Sequence, residues 1–144
     1  MLLTRVVVVE DFEPFRQFIC STLKKRPNLQ VICEVSDGEE AVKKVEELQP
    51  DLILLDIGLP TLNGIAAARR ILQLTPESRI IFVTQETSPE IVEEALGVGA
   101  MGYIAKTSAN SELLTAVDAA LEGRKFVGSG LRLPAPSTRQ QCDF

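Results

Sequence analysis

Short, wholly apolar runs rich in β-branched residues alternate along this chain with stretches whose apolar residues recur every three or four positions. Residues 5–9 read Arg-Val-Val-Val-Val and stop at Glu10-Asp11, the pattern of a strand buried on both faces. Pro14 suits a first helical turn, and Phe15, Phe18, Ile19 and Leu23 follow at helical spacing until Pro27. Residues 29–35 alternate loosely as a second strand, and Ala41, Val42 and Val45 carry the stripe of a helix over 39–48. Leu-Ile-Leu-Leu at 52–55 is a third strand ending at Asp56, and Gly58, Pro60, Asn63 and Gly64 then mark a loop. A helix is predicted over 64–74, a strand over 79–84 ending at Thr84, and a helix opened by Ser88-Pro89-Glu90 and closed by Gly97 and Gly99. A fifth strand over 101–105 ends at Lys106, and Asn110 is expected to cap a last helix that Gly123 closes.

Five strands alternating with five helices, the strands apolar on both faces, predict an α/β fold: a doubly wound, five-stranded parallel sheet covered by helices on both sides. The boundary of this domain is drawn at 1–127, and residues 128–144, with Gly-Ser-Gly and Pro-Ala-Pro-Ser, read as a flexible C-terminal tail or linker.

Composition narrows the chemistry. With 144 residues and 45% apolar, the chain suits one domain with one core. No apolar run is long enough to span a bilayer and no signal-peptide pattern opens the chain, so a cytoplasmic protein without a membrane partner is expected. There is no histidine, which removes His-based nucleophile systems, His-ligated metals and a phosphohistidine carrier role. Cys20, Cys33 and Cys142 form no CxxC pair and read as small hydrophobes. A net charge of −5 argues against nonspecific attraction to nucleic acid, and no DNA binding by this chain is expected.

Taken singly, an acid, a threonine or a lysine after a strand is usually a cap, a turn or a solvated side chain. Taken together, Glu10-Asp11, Asp56, Thr84 and Lys106 all follow strands, and ligands of open parallel sheets bind beyond the carboxyl ends of the strands. With the strand order 2-1-3-4-5 of flavodoxin-like sheets, adopted by analogy, they would meet in one cleft. Clustered carboxylates repel unless a cation joins them, and an all-oxygen donor set open on one side suits Mg²⁺. A carboxylate can attack phosphorus to form an aspartyl phosphate, with metal and lysine neutralising the developing charge.

Over residues 5–127 the sequence resembles response-regulator receiver domains, the CheY-like family, and those of the NarL/LuxR type in particular. The resemblance rests on Val-Val-Glu10-Asp11, Leu-Ile-Leu-Leu-Asp56-Ile-Gly-Leu-Pro60, Asn63-Gly64, Phe-Val-Thr84 and Gly102-Tyr103-Ile-Ala-Lys106, with Asp37-Gly38-Glu39-Glu40-Ala41 and Ala-Leu-Gly-Val-Gly-Ala-Met-Gly-Tyr103 as further matches. It implies that Asp56 accepts a phosphoryl group from a sensor histidine kinase or phosphotransfer protein. It implies that Asp11, Asp56 and the backbone carbonyl of Gly58 bind Mg²⁺, with Glu10 acting through metal-bound water. Thr84 and Lys106 would hold the phosphoryl oxygens, and Tyr103 would change rotamer with Thr84, switching the face made by helix 4, strand 5 and helix 5. A homodimer is compatible with this reading. Three departures stand out: Gln85 follows Thr84 where a small residue is usual, Thr107 follows Lys106 where many receivers have a cis proline, and Gly97 sits late in helix 4, where Gly costs about 1 kcal/mol relative to Ala.

Two rival readings are open. One is a degenerate receiver acting as a phosphorylation-independent docking module, which has no need of all five functional residues. The other is a phosphatase with an Asp nucleophile, which typically carries a second Asp two residues on, where this chain has Gly58. No enzymatic activity is expected beyond self-phosphorylation and slow autodephosphorylation.

Overall fold

A computed structural model describes residues 3–133. The chain runs β1 (Thr4–Val9), α1 (Glu13–Leu23), β2 (Leu29–Val35), α2 (Gly38–Leu48), β3 (Leu52–Leu55), α3 (Gly64–Leu74), β4 (Arg79–Thr84), α4 (Pro89–Val98) and β5 (Gly102–Ala105). A 3-10 turn (Lys106–Ser108), α5 (Ala109–Leu121) and a two-residue β6 (Phe126–Val127) complete it. Every strand pairing is parallel and the order is β2-β1-β3-β4-β5-β6. The expected order 2-1-3-4-5 is present, and β6 is an addition that the sequence reading did not contain. Two residues are too few to show a period, and β6 is defined by its register, Gly102 beside Phe126 and Tyr103 beside Val127.

The apolar runs are strands because both of their faces are buried. Val7, Val9, Ile53, Leu55, Ile80, Phe82 and Tyr103 pack with α2, α3 and α4 on one side of the sheet. Val6, Val8, Leu52, Leu54, Ile81, Val83 and Ile104 pack with α1 and α5 on the other. Successive residues of one strand therefore enter different cores, as the period of two requires. β2 lies at one edge, where Gln30 and Glu34 are exposed.

Helix starts follow local hydrogen bonding. Asp37 Oδ1 accepts from the Glu40 N–H (2.9 Å) and Asn63 Oδ1 from the Ala66 N–H (3.0 Å), each such cap contributing about 1 kcal/mol. Ser88 caps α4 with Pro89 behind it, as expected, and Gly99 ends the helix at φ +116°. The expected cap at Asn110 is corrected: Asn110 lies inside α5, and Ser108, at the end of the 3-10 turn, occupies the cap position without a side-chain hydrogen bond. α5 starts two residues early because the turn already supplies helical geometry. No peptide bond among the described residues is cis, including Lys106–Thr107.

Candidate functional site

β1 and β3 are neighbours whose following helices cover opposite faces of the sheet, and a cleft opens where they diverge. The Asp56 N–H donates to the Val9 carbonyl (3.1 Å), which brings the end of β3 beside Glu10-Asp11. β4 delivers Thr84 and β5 delivers Lys106 to the same end. Asp11, Phe12, Asp56, Gly58, Thr84, Gln85, Glu86 and Lys106 line a cleft of about 350 Å³. The five residues expected to meet do meet.

Ligand-capable oxygens of Glu10, Asp11 and Asp56 lie within 4.8 Å of one another. Glu10 is fully buried, Asp56 is 6% exposed and Asp11 faces solvent. The Lys106 ammonium sits among them, 3.0 Å from Glu10 Oε2 and 3.2 Å from Asp56 Oδ2. It also stands 4.9 Å over the Phe15 ring, a cation–π contact at the inner wall. Burial pulls the lysine pKa down, but the surrounding carboxylates outweigh burial and hold it above its ordinary value. Burial pushes the Glu10 carboxyl up, against hydrogen bonds from Lys106 and the Phe12 N–H.

Three clustered carboxylates, two of them paired with one ammonium, leave negative charge uncompensated if all are ionised. Glu10 Oε1 lies 2.9 Å from the same ammonium yet accepts no well-directed hydrogen bond, so a buried oxygen keeps a free lone pair. This donor set fits a hard cation bound by oxygen.

Several residues that position the site were missed in the sequence. Arg16 donates from Nη1 to the Glu10 carbonyl (2.9 Å) and from Nε to Glu34 Oε1 (3.2 Å), tying the acidic turn to β2. A Cβ on Gly64 would stand 2.0 Å from the Asp56 carbonyl oxygen, so the loop that follows Asp56 folds back onto it only because residue 64 has no side chain. A Cβ on Gly38 would meet the Leu62 carbonyl at 1.9 Å, which packs the same loop against α2. Asn63-Gly64 and Asp37-Gly38 were visible as motifs, but a close backbone approach leaves no mark in a sequence.

Tyr103 is fully buried in the core on the α2–α3–α4 side of the sheet. Its hydroxyl donates to the Glu86 carbonyl (2.6 Å) and its ring lies 6.0 Å from that of Phe82. Thr84 is buried, and its hydroxyl oxygen accepts a long hydrogen bond from the Glu86 N–H (3.4 Å). The loop after β4 is thus joined to both expected switch residues. A larger cavity of about 830 Å³ lies at the amino ends of β3, β4 and β5, lined in part by Asp51, Arg79 and Met101. Its arginine already donates to the Ala120 and Leu121 carbonyls (2.9 Å each), so that end of the sheet serves α5.

Residues 6–118 match the family model of the response regulator receiver domain. The chain is 34% identical over 119 residues to the transcriptional regulatory protein LiaR of Bacillus subtilis, covering 83% of this chain and 56% of that protein. A solved two-component response regulator of the LuxR family from Aurantimonas superimposes with a TM-score of 0.82 at 30% identity, covering 98% of this chain and 96% of the other. The receiver domain of NarL from Mycobacterium tuberculosis does so at 0.80 and 30% identity, covering 86% and 100%. The chain belongs to the response-regulator receiver family and is of the two-component signalling type. It spans about half the length of the curated relatives it matches.

Proposed function

We propose that Asp56 is the phosphoacceptor of this receiver and that the single observation carrying this is the Glu10–Asp11–Asp56–Lys106 constellation beside a buried threonine. Asp11, Asp56 and the Gly58 carbonyl would hold Mg²⁺, with Glu10 acting through its water. An ion held there would supply charge neutralisation for the acids and for the incoming phosphate. An Asp56 carboxylate oxygen attacks phosphorus, the bond from phosphorus to the donor's imidazole nitrogen breaks, and the imidazole keeps the electron pair. Lys106 transfers its donors from Asp56 to the phosphoryl oxygens, and the Thr84 hydroxyl donates to another.

That new bond turns Thr84 away from the Glu86 N–H. The loop carrying Glu86 is thereby freed to move, and Tyr103 bonds to the carbonyl of the same residue. The Tyr103 phenol reports this change on the face formed by α4, β5 and α5. The donor is a phosphohistidine on a sensor kinase or phosphotransfer protein, in the cytoplasm, and a second copy of this chain is a further partner. With Gly58 where an Asp nucleophile phosphatase has its acid, no turnover of an external substrate is expected.

The test is a beryllofluoride titration in Mg²⁺ followed by Tyr103 fluorescence, in wild type and Thr84→Ala. Tyr103 is the only tyrosine and tryptophan is absent, so the signal has one source. A saturable change in wild type that is reduced in Thr84→Ala is expected. Identical Tyr103 signals with and without beryllofluoride overturn the switch.

A further inference from the structure

The chain does not leave the domain at β6. The Gly128 N–H donates to the Tyr103 carbonyl (2.8 Å), extending the β5–β6 pairing by one bond. Ser129 then donates twice to Glu112 Oε2 on α5, from its N–H (2.9 Å) and from its hydroxyl (2.6 Å). Glu112 Oε1 is buried and accepts no hydrogen bond from the described residues, so the carboxylate is committed to the segment through one oxygen. Gly130 adopts φ +81°, and the Leu131 N–H returns to the Gly128 carbonyl (3.3 Å). Leu131 packs against the core on the α2–α3–α4 side, the one that contains Tyr103, whereas Phe126 packs against the core on the α1–α5 side. Residues 126–131 therefore wrap the edge of the sheet from one face to the other. Gly-Ser-Gly, read as linker composition, forms a built turn.

Tyr103 is joined to this strap at its carbonyl and to the phosphorylation cleft at its hydroxyl, through Glu86. We infer that Glu112, the Tyr103 backbone and the apolar slot that takes Leu131 form a docking site for residues 126–131, and that its occupancy is coupled to modification of Asp56. The strap holds the Tyr103 backbone, the Tyr103 hydroxyl holds the Glu86 carbonyl, and the Glu86 N–H holds Thr84. Docking thus favours the arrangement in which Thr84 stays with the Glu86 N–H and is not turned toward the phosphoryl group. Coupling of this kind is reciprocal: modification loosens the strap, and a loosened strap eases modification. The inference rests on Asp56 being the phosphoacceptor.

The test uses the full chain and two variants that disturb different anchors. Ser129→Pro removes both donors to Glu112, and Leu131→Asp puts a charge where Leu131 packs. Beryllofluoride binding in Mg²⁺ is read by fluorine NMR, and exchange of the Gly128 and Ser129 amides is read in wild type with and without beryllofluoride. Faster exchange of both amides on binding is expected, with a half-saturating concentration lowered about fivefold or more in each variant. Because the exchange measurement needs no variant, misfolding of one or both leaves the question decidable. Failure of wild type to bind beryllofluoride at all refutes the Asp56 reading. Normal binding by wild type, with unchanged amide exchange or with folded variants that bind equally well, refutes the strap coupling alone.

Discussion

Replacing Lys106 with Met keeps most of the apolar stem of the side chain and removes its charge. The ammonium lies within 3.2 Å of both Glu10 and Asp56, and its side chain is only 14% exposed. Removing one partner of a buried ion pair costs about 3–5 kcal/mol, because the remaining charge is left without compensation. The cleft is open to solvent on the Asp11 side, and Glu10 can relieve the strain by binding a proton, so the low end applies. A loss of about 3 kcal/mol corresponds to a fall in Tm of roughly 10 °C for a domain of this size. The same change removes an internal cation that competes with a bound one, so Mg²⁺ should raise the Tm of Lys106→Met by more than that of wild type. Thermal unfolding by circular dichroism, with chelator and over a Mg²⁺ series, measures both quantities. A variant as stable as wild type in chelator, with the same response to Mg²⁺, refutes the view that Lys106 neutralises this acidic cluster.

Other expectations follow from the same geometry. Gly64→Ala forces a Cβ onto the Asp56 carbonyl and should lose about 3 kcal/mol in denaturant unfolding, whereas Gly58→Ala, whose Cβ meets nothing within 4 Å, should stay within about 0.5 kcal/mol. Burial raises the Tyr103 phenol pKa well above its ordinary value of 10.0, with the nearby Glu86 and Asp56 charges adding to the shift. Its raised pKa means that stability is held below pH 10 and lost as pH rises further, because the unfolded chain releases the proton first. Ultraviolet titration should therefore show phenolate only together with unfolding, and reversible ionisation near pH 10 in the folded chain would contradict the burial. No sequence-specific DNA binding is expected of this chain, and a salt-sensitive gel shift at sub-micromolar concentration for a defined site would overturn that.

The bounds of β2, β3, α3 and β4 in the structure are those read from the sequence, because buried parallel strands and capped helices leave strong patterns. The start of α5 was misplaced because a 3-10 turn has no periodicity of its own. β6 and the bonds of Gly128 and Ser129 escaped because they depend on what lies beside them in space and not on local composition. The acids, Thr84 and Lys106 were legible as strand-end residues. The direction in which Lys106 points, the carbonyl of Glu86 that holds Tyr103, and the approach of Gly64 to Asp56 all involve contacts between distant segments or backbone atoms. Cys142 and the rest of residues 134–144 lie outside the described residues.

Intact-mass spectrometry after incubation with a small-molecule phosphodonor, in Mg²⁺ and in excess chelator, tests the central claim most directly. Wild type should gain one phosphoryl group in Mg²⁺ only, peptide mapping should place it on Asp56, and Asp56→Asn should gain none. Full modification of Asp56→Asn, or of wild type in chelator, would contradict the assignment of Asp56 as a metal-assisted phosphoacceptor.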